Sequence, residues 1–285
     1  MKTYLCVGIG DMVHLDSILE TEEKASISEI YWATRWGPML SELFDGNKSY
    51  PNLIRHYVIS DAVGKNAMKF LDPIAVPFWH FRPDFPTNFK VGLNLFGIEN
   101  DWENGSLQVF NALKMFSDPK RTFKSSSFIK SARPVNLGDY IFFHYPTSTR
   151  PRTDICEIVE EDWDFVNWLA IEKNMKVVIA SDSEINIPLK CDFVKYINPE
   201  LKFFVDLAAS CKFFVGCDSF GAHLATKHLP KENLFIKTHD PNIKQKLMEA
   251  AYCKINGLEG RHRFDFCPHP PEDVALFYKN YIGFP

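Results

Sequence analysis

At 285 residues, with 46% hydrophobic and 24% charged residues, the chain has the balance of a globular protein and not of a disordered one. That length can bury one large core or two modest ones, and its 25 Phe, 10 Tyr and six Trp are read chiefly as core aromatics, with sugar or base stacking the rarer use. A net charge of −4 excludes an overall positive field that would recruit nucleic acid, leaving at most a local basic groove.

In chain order, Met1-Lys2-Thr3 precedes only a short apolar run, so no secretory leader is expected, and nowhere do apolar residues approach the roughly 20 that span a bilayer. Residues 3–9 predict a strand, Gly8-Ile9-Gly10-Asp11 the turn after it, and about 12–20 a helix. A strand is expected at 28–34, a helix over Trp36 to Phe44, and another strand from Leu53 to Ile59. From Asp72 to Asn94, Pro and aromatics obscure any period, while residues 106–116 have the pattern of an amphipathic helix. Trp32, Arg35, Trp36 and His80 are candidates to shape a pocket that stacks on a sugar or base, although core packing accounts for most of them. Ser117 to Ser131, with Lys120, Arg121, Lys124 and Lys130, reads as a solvated loop or the approach to a linker.

Beyond Pro134 the alternation is cleaner. Strands are predicted at Tyr140 to Tyr145, Lys176 to Ala180, Phe193 to Ile197, Lys212 to Gly216 and Leu234 to Lys237. Helices are predicted at Glu161 to Asn174, Pro199 to Ser210, from Gly221 onward, and at Pro271 to Tyr281. Strands alternating with helices argue for a parallel sheet covered on both faces, whose ligands sit beyond the carboxyl ends of the strands. Asp11, the Thr147–Arg152 loop, Asp182, Glu184 and Ser219–His223 all fall at such ends. The seven cysteines are scattered without a CxxC pair, several in strand-like runs, which indicates a reducing, cytoplasmic setting. Cys253, His262, Cys267 and His269 do not have the spacing of a zinc site.

The most telling stretch is Phe213-Phe214-Val215-Gly216-Cys217-Asp218-Ser219-Phe220-Gly221-Ala222-His223-Leu224-Ala225, an apolar run broken by a Gly and followed by helical residues. It reads as a buried strand, a tight turn and a helix start whose unpaired N–H groups suit a phosphate. Ser219 and the small Gly221 let a diphosphate approach the backbone, and His223 adds a donor. The same residues also make an ordinary βα turn in which Asp218 or Ser219 only caps the helix.

Two separated motifs, Gly8-Ile9-Gly10-Asp11-Met12-Val13 and the Gly216–Ala225 segment, resemble in order and distance the ADP-heptose:lipopolysaccharide heptosyltransferase family. Tyr140 to Tyr145 with its following basic loop is similar to the start of that family's nucleotide-binding domain. The resemblance covers residues 136–240 and, in the first half, only the first turn; Phe220 stands between Ser219 and Gly221, where the family often has Asp-Ser-Gly directly.

That resemblance implies an α/β protein of GT-B type, two Rossmann-like domains facing a cleft. An acceptor-side domain is expected over 1–135 and a nucleotide-sugar-binding domain over 136–285, the last helix being one that commonly crosses back. It implies metal-independent, inverting transfer of a sugar from a nucleotide-diphosphate donor to an acceptor hydroxyl, with no cofactor. Asp11 is then the base, its other reading being a helix cap. Arg150, Arg152, Ser219, Gly221 and His223 hold the donor diphosphate, the two arginines reading equally as surface residues. Asp182, Glu184 and Asp218 are assigned to the ribose or sugar; the first two serve equally as turn residues. Asp162-Trp163-Asp164 has an Asp-x-Asp pattern, but carboxylates two apart on a helix point to different faces, and first-turn acids have a dipole explanation. The implied acceptor is a surface glycan or, less directly, a hydroxylated DNA base for which the Lys120–Lys130 segment supplies phosphate contacts. The competing reading is a non-catalytic nucleotide- or glycan-binding protein that keeps the fold.

Overall fold

The structure, a computed structural model, describes residues 2–5, 9–18, 21–32, 37–58, 125–145, 158–217 and 219–237. These fall in two compact units that divide between Ser131 and Ala132. The helices expected at 106–116 and 271–281, the side chains of Trp32 and Asp11, and residues Arg35, Trp36, His80, Lys120, Arg121, Lys124, Cys253, His262, Cys267 and His269 lie outside what is described.

In the first unit, β1 (Lys2–Leu5), β2 (Glu29–Trp32) and β3 (Arg55–Val58) form a parallel sheet in that order, Lys2 level with Glu29 and Glu29 with Arg55. The helix α1 spans Ile9–Ile18, so Gly10 and Asp11 lie in its first turn and not in a turn ahead of it. First-turn N–H groups have no intrahelical partner, and an aspartate there meets the positive end of the dipole, so neither residue opposes the early start. Two short helices, α2 (Thr21–Ser26) and α3 (Gly37–Glu42), follow. The expected solvated loop before Ser131 ends instead as a helix, α4 (Ser127–Ser131), with Ser126, Ser127 and Phe128 buried; Lys130 is exposed. Phe128 meets the edge of Phe44, which in turn meets Tyr50, at centroid distances of 5.4 and 4.8 Å.

A polar knot explains why the start of α4 is buried. The Asp16 carboxylate of α1 is fully enclosed and accepts from the Tyr50 hydroxyl at 2.8 Å, and from the Ser126 hydroxyl, the Ser127 hydroxyl and the Ser127 N–H at 2.6 Å each. Lys24 of α2 closes the set with its ammonium 3.0 Å away. Asn47 adds a bond to the Ser127 hydroxyl at 3.0 Å. Burial, and then the neighbouring carboxylate, hold the Tyr50 phenol well above its ordinary pKa, so it stays a donor.

The second unit is a five-stranded parallel sheet in the order β6-β5-β4-β7-β8, with β4 Tyr140–Tyr145, β5 Lys176–Ser181, β6 Phe193–Ile197, β7 Phe213–Cys217 and β8 Leu234–Lys237. Side chains alternate along β4. Ile141 and Phe143 share the core with Trp163, Val166 and Leu169 of α5 (Glu160–Lys173). On the other face Phe142 and His144 meet the Phe204 ring of α6 (Leu201–Ser210) at 5.2 and 4.7 Å, and the Tyr140 hydroxyl donates to the Leu207 carbonyl at 2.6 Å.

Local chemistry sets the helix ends. Asp162 accepts the N–H of Val159 at 2.9 Å, so this carboxylate serves the start of α5, while Asp164 is exposed. At the other end Asn174 takes a left-handed conformation, φ 51°, and Met175 and Asn174 donate back to Ala170 and Ile171, a Schellman closure. The helix α6 starts at Leu201 and not at Pro199, because Asn198 is left-handed and Glu200 extended. Buried Asp206 of α6 accepts the Arg133 N–H at 2.7 Å and fastens the chain entering the unit. Among the described residues no helix is long and apolar enough to cross a membrane.

The strand order turns back at β4: β5 and β6 are added on one side, β7 and β8 on the other. In such sheets the crevice beyond the carboxyl ends of the two strands at the reversal is the usual ligand site. Here those strands are β4 and β7, which end at Tyr145 and Cys217.

Candidate functional site

At that reversal the structure joins two residues that lie 75 positions apart. His144, near the end of β4, has its Nδ1 2.9 Å from the Ser219 hydroxyl oxygen. Ser219 precedes α7 (Phe220–Ala225), in extended conformation, and its hydroxyl does not cap the helix; the side chain is turned to His144 instead. Gly221 is buried directly behind it, and half-buried His223 donates its backbone N–H to the Ser219 carbonyl at 3.0 Å.

Two glycines allow this close assembly. Gly216 is level with His144 across the β4–β7 pairing, and a Cβ on it would lie 2.8 Å from the His144 carbonyl oxygen. A Cβ on Gly221 would lie 2.7 Å from His144 Nδ1 and 3.1 Å from the Phe204 ring. The imidazole therefore rests against backbone, which only glycine permits. Gly221→Ala is expected to lower the unfolding free energy by about 1–3 kcal/mol through overpacking and to push the imidazole off Ser219. Urea unfolding measures the loss, and a variant as stable as the parent would contradict the geometry.

The electrostatics of His144 follow from its enclosure. Only 7% exposed, with Phe142 and Phe204 against it, its ring is lowered by desolvation to a pKa of about 3. The unfolded chain takes up this proton near pH 6.5, whereas the folded chain refuses it until about pH 3. Between those values the unfolded state holds more protons, so the stabilisation is complete above pH 6.5 and falls with acidity, at up to about 1.4 kcal/mol per pH unit. His144→Phe keeps a ring in place without that proton. The stability difference between parent and variant is expected to shift in the variant's favour from pH 7 to pH 4.5; a difference independent of pH would show that the ring is solvated.

The other expected residues are more scattered. Asp182 is exposed just past β5, with its carboxyl raised in pKa by partial burial. Glu184 is bound to Lys195 of β6 at 2.5 Å, an exposed pair of small energetic weight that already occupies the carboxylate. Both follow the carboxyl end of β5, Glu184 on its β6 side. Asp11 lies in the first turn of α1, in the other unit, and its side chain is outside the described residues, as are Arg150, Arg152 and Asp218. His144 is the residue that motif reasoning passed over, as one more member of a strand. Its signal was a single titratable side chain at the carboxyl end of an otherwise apolar run.

The fold is similar to that of a glycosyl transferase family 9 protein from Veillonella parvula DSM 2008 in the crystal. The TM-score is 0.51 and the identity 11%, over 99% of this chain and 96% of that one. No family model and no curated protein matches the sequence. At this identity the likeness is one of fold: an α/β protein built on parallel sheets.

Proposed function

We propose that the chain is a GT-B-type glycosyltransferase that moves a sugar from a nucleotide-diphosphate donor to an acceptor hydroxyl, without a metal and with inversion. The observation that carries this reading is the Ser219–Gly221 turn at the strand-order reversal. The Ser219 hydroxyl there is not spent on capping but is held by His144, and the buried Gly221 lets the turn pack directly against that ring at the carboxyl ends of the strands. The likeness of fold to a glycosyl transferase family 9 protein supports it. In this reading Ser219, Gly221 and His223 hold the departing diphosphate, joined by Arg150 and Arg152. Asp182 and Asp218 accept hydrogen bonds from donor hydroxyls, and Glu184 does so only by releasing Lys195. Asp11 takes the proton of the acceptor, for which a glycan is the fitting class.

A thermal-shift screen against ADP, UDP, GDP, CDP and their sugar conjugates, with and without magnesium, tests the donor side. A selective rise in Tm that needs no magnesium and shrinks in Ser219→Ala is expected. No shift with any nucleotide would overturn the reading, and binding without release of nucleoside diphosphate to any glycan acceptor would point to a non-catalytic binding protein.

A further inference from the structure

β6 is an edge of its sheet, bonded among the described residues to β5 alone. The Asp192 carbonyl accepts from the Val177 N–H at 2.9 Å, and the Asn198 N–H donates to the Ser181 carbonyl at 2.7 Å. By the alternation of a parallel ladder, Val194 and Tyr196 bond to β5 as well, and Phe193, Lys195 and Ile197 turn their N–H and C=O groups to the open side. Such a row is a template for another strand, and folds commonly blunt it with a proline, a bulge or a projecting lysine. β6 contains no proline, and its register with β5 runs unbroken from Phe193 to Ile197. Its one lysine is bound to Glu184, and the side chains of Phe193 and Ile197 are 41% and 38% exposed.

We propose that two copies of the chain meet at this edge, β6 against β6, antiparallel about a twofold axis through Lys195. The strand is complementary to itself in that arrangement. Phe193 of each copy lies opposite Ile197 of the other, so apolar meets apolar at both ends and all three outward residues are paired. Val194 lies opposite Tyr196 on the other face, where Tyr196 already packs on Phe203 of α6 at 5.0 Å. At the centre two Lys195 ammoniums meet, each bringing its own Glu184, so the cluster carries both signs and no net charge. Slipping the pairing one step in either direction leaves an outward residue of each strand unpaired and sets Lys195 against Phe193 or Ile197. The contact is isologous, the commonest kind in closed oligomers. A strand of five residues covers less than the roughly 1,200–2,000 Å² of a lasting interface, so the dimer forms and dissolves with concentration.

Sedimentation velocity of the full chain at rising concentration tests this, and a shift from monomer to dimer that reverses on dilution is expected. Lys195→Pro removes only an outward N–H and leaves the ladder to β5 whole. It is expected to keep the chain monomeric, with Tm within about 3 °C of the parent. Phe193→Lys sets a charge against Ile197 twice in each dimer and is expected to weaken association roughly tenfold. Cysteine substitutions read the register, with disulfides mapped by mass spectrometry after mild oxidation with oxidised glutathione. Lys195→Cys is expected to cross-link to its own kind, because residues on the axis lie within disulfide reach. Phe193→Cys is expected to cross-link to Ile197→Cys in a mixture and not to itself. A parent that stays monomeric at every concentration overturns the proposal, as does a dimer that both Lys195→Pro and Phe193→Lys leave intact, or a disulfide between two copies of Phe193→Cys. Should Lys195→Pro fail to fold, Phe193→Lys, a change at an exposed side chain, still decides the matter. No nucleotide or sugar enters these measurements, so their outcome is independent of the transferase reading.

Discussion

Asp11→Asn is expected to slow sugar transfer by about 10²–10⁴-fold, the range for loss of a general base, while nucleoside diphosphate affinity stays within about twofold. The comparison with Asp16, on the same helix, sharpens this. Asp16 is fully buried, with Tyr50, Lys24, Ser126 and Ser127 all directed at its two oxygens. A carboxylate so occupied has no oxygen left for an acceptor hydroxyl. Asp11, one turn after β1 by chain order, is the α1 acid left for that role. Initial rates with saturating donor separate the cases. A variant that loses donor affinity in proportion to its rate would show that Asp11 binds the donor or holds the fold, and would remove it as the base.

Asp16→Ala is expected to lower the unfolding free energy by about 3–5 kcal/mol, because it strands the buried Lys24 ammonium and four further donors without an acceptor. Against the roughly 5–15 kcal/mol of a typical domain, such a loss leaves the first unit close to unfolding at ambient temperature. Asp16→Asn keeps an acceptor but not the charge, and an intermediate loss is expected. Urea unfolding followed by far-UV circular dichroism reads both variants; an Asp16→Ala midpoint within error of the parent would mean that water reaches the knot and the enclosure is wrong. The His144–Ser219 pair belongs to the other unit, so a spectroscopic probe at that pair distinguishes local from global damage.

Sequence patterns reached the second unit almost element by element. Tyr140–Tyr145, Lys176–Ser181 and Phe213–Cys217 are apolar on both faces and bounded by polar residues, and that is a signal carried by the strand itself. The departures arise where the deciding partner is remote. Nothing near Ser126 and Ser127 announces that they are buried, because their acceptor, Asp16, is 110 residues or more away. The basic flank of that segment therefore made it look solvated. His144 went unassigned for the same reason, its partner being 75 residues distant. Gly10 misled in another way, since a glycine that is free to turn is also tolerated in the first turn of a helix. Glu184 and Asp162 show the reverse, carboxylates whose neighbours Lys195 and Val159 were near at hand in the chain.

The placing of β4 in the middle of its sheet has a kinetic consequence. Its pairing with β5 closes a short excursion through α5, but its pairing with β7 waits until β5, β6 and α6 have been threaded, and closing the longer loop costs more entropy. The seam between β4 and β7 is thus the slower one to zip, and the His144–Ser219 contact forms only when it does. A spectroscopic probe at that pair would time the completion of folding, while one on the β4–β5 side would record its beginning.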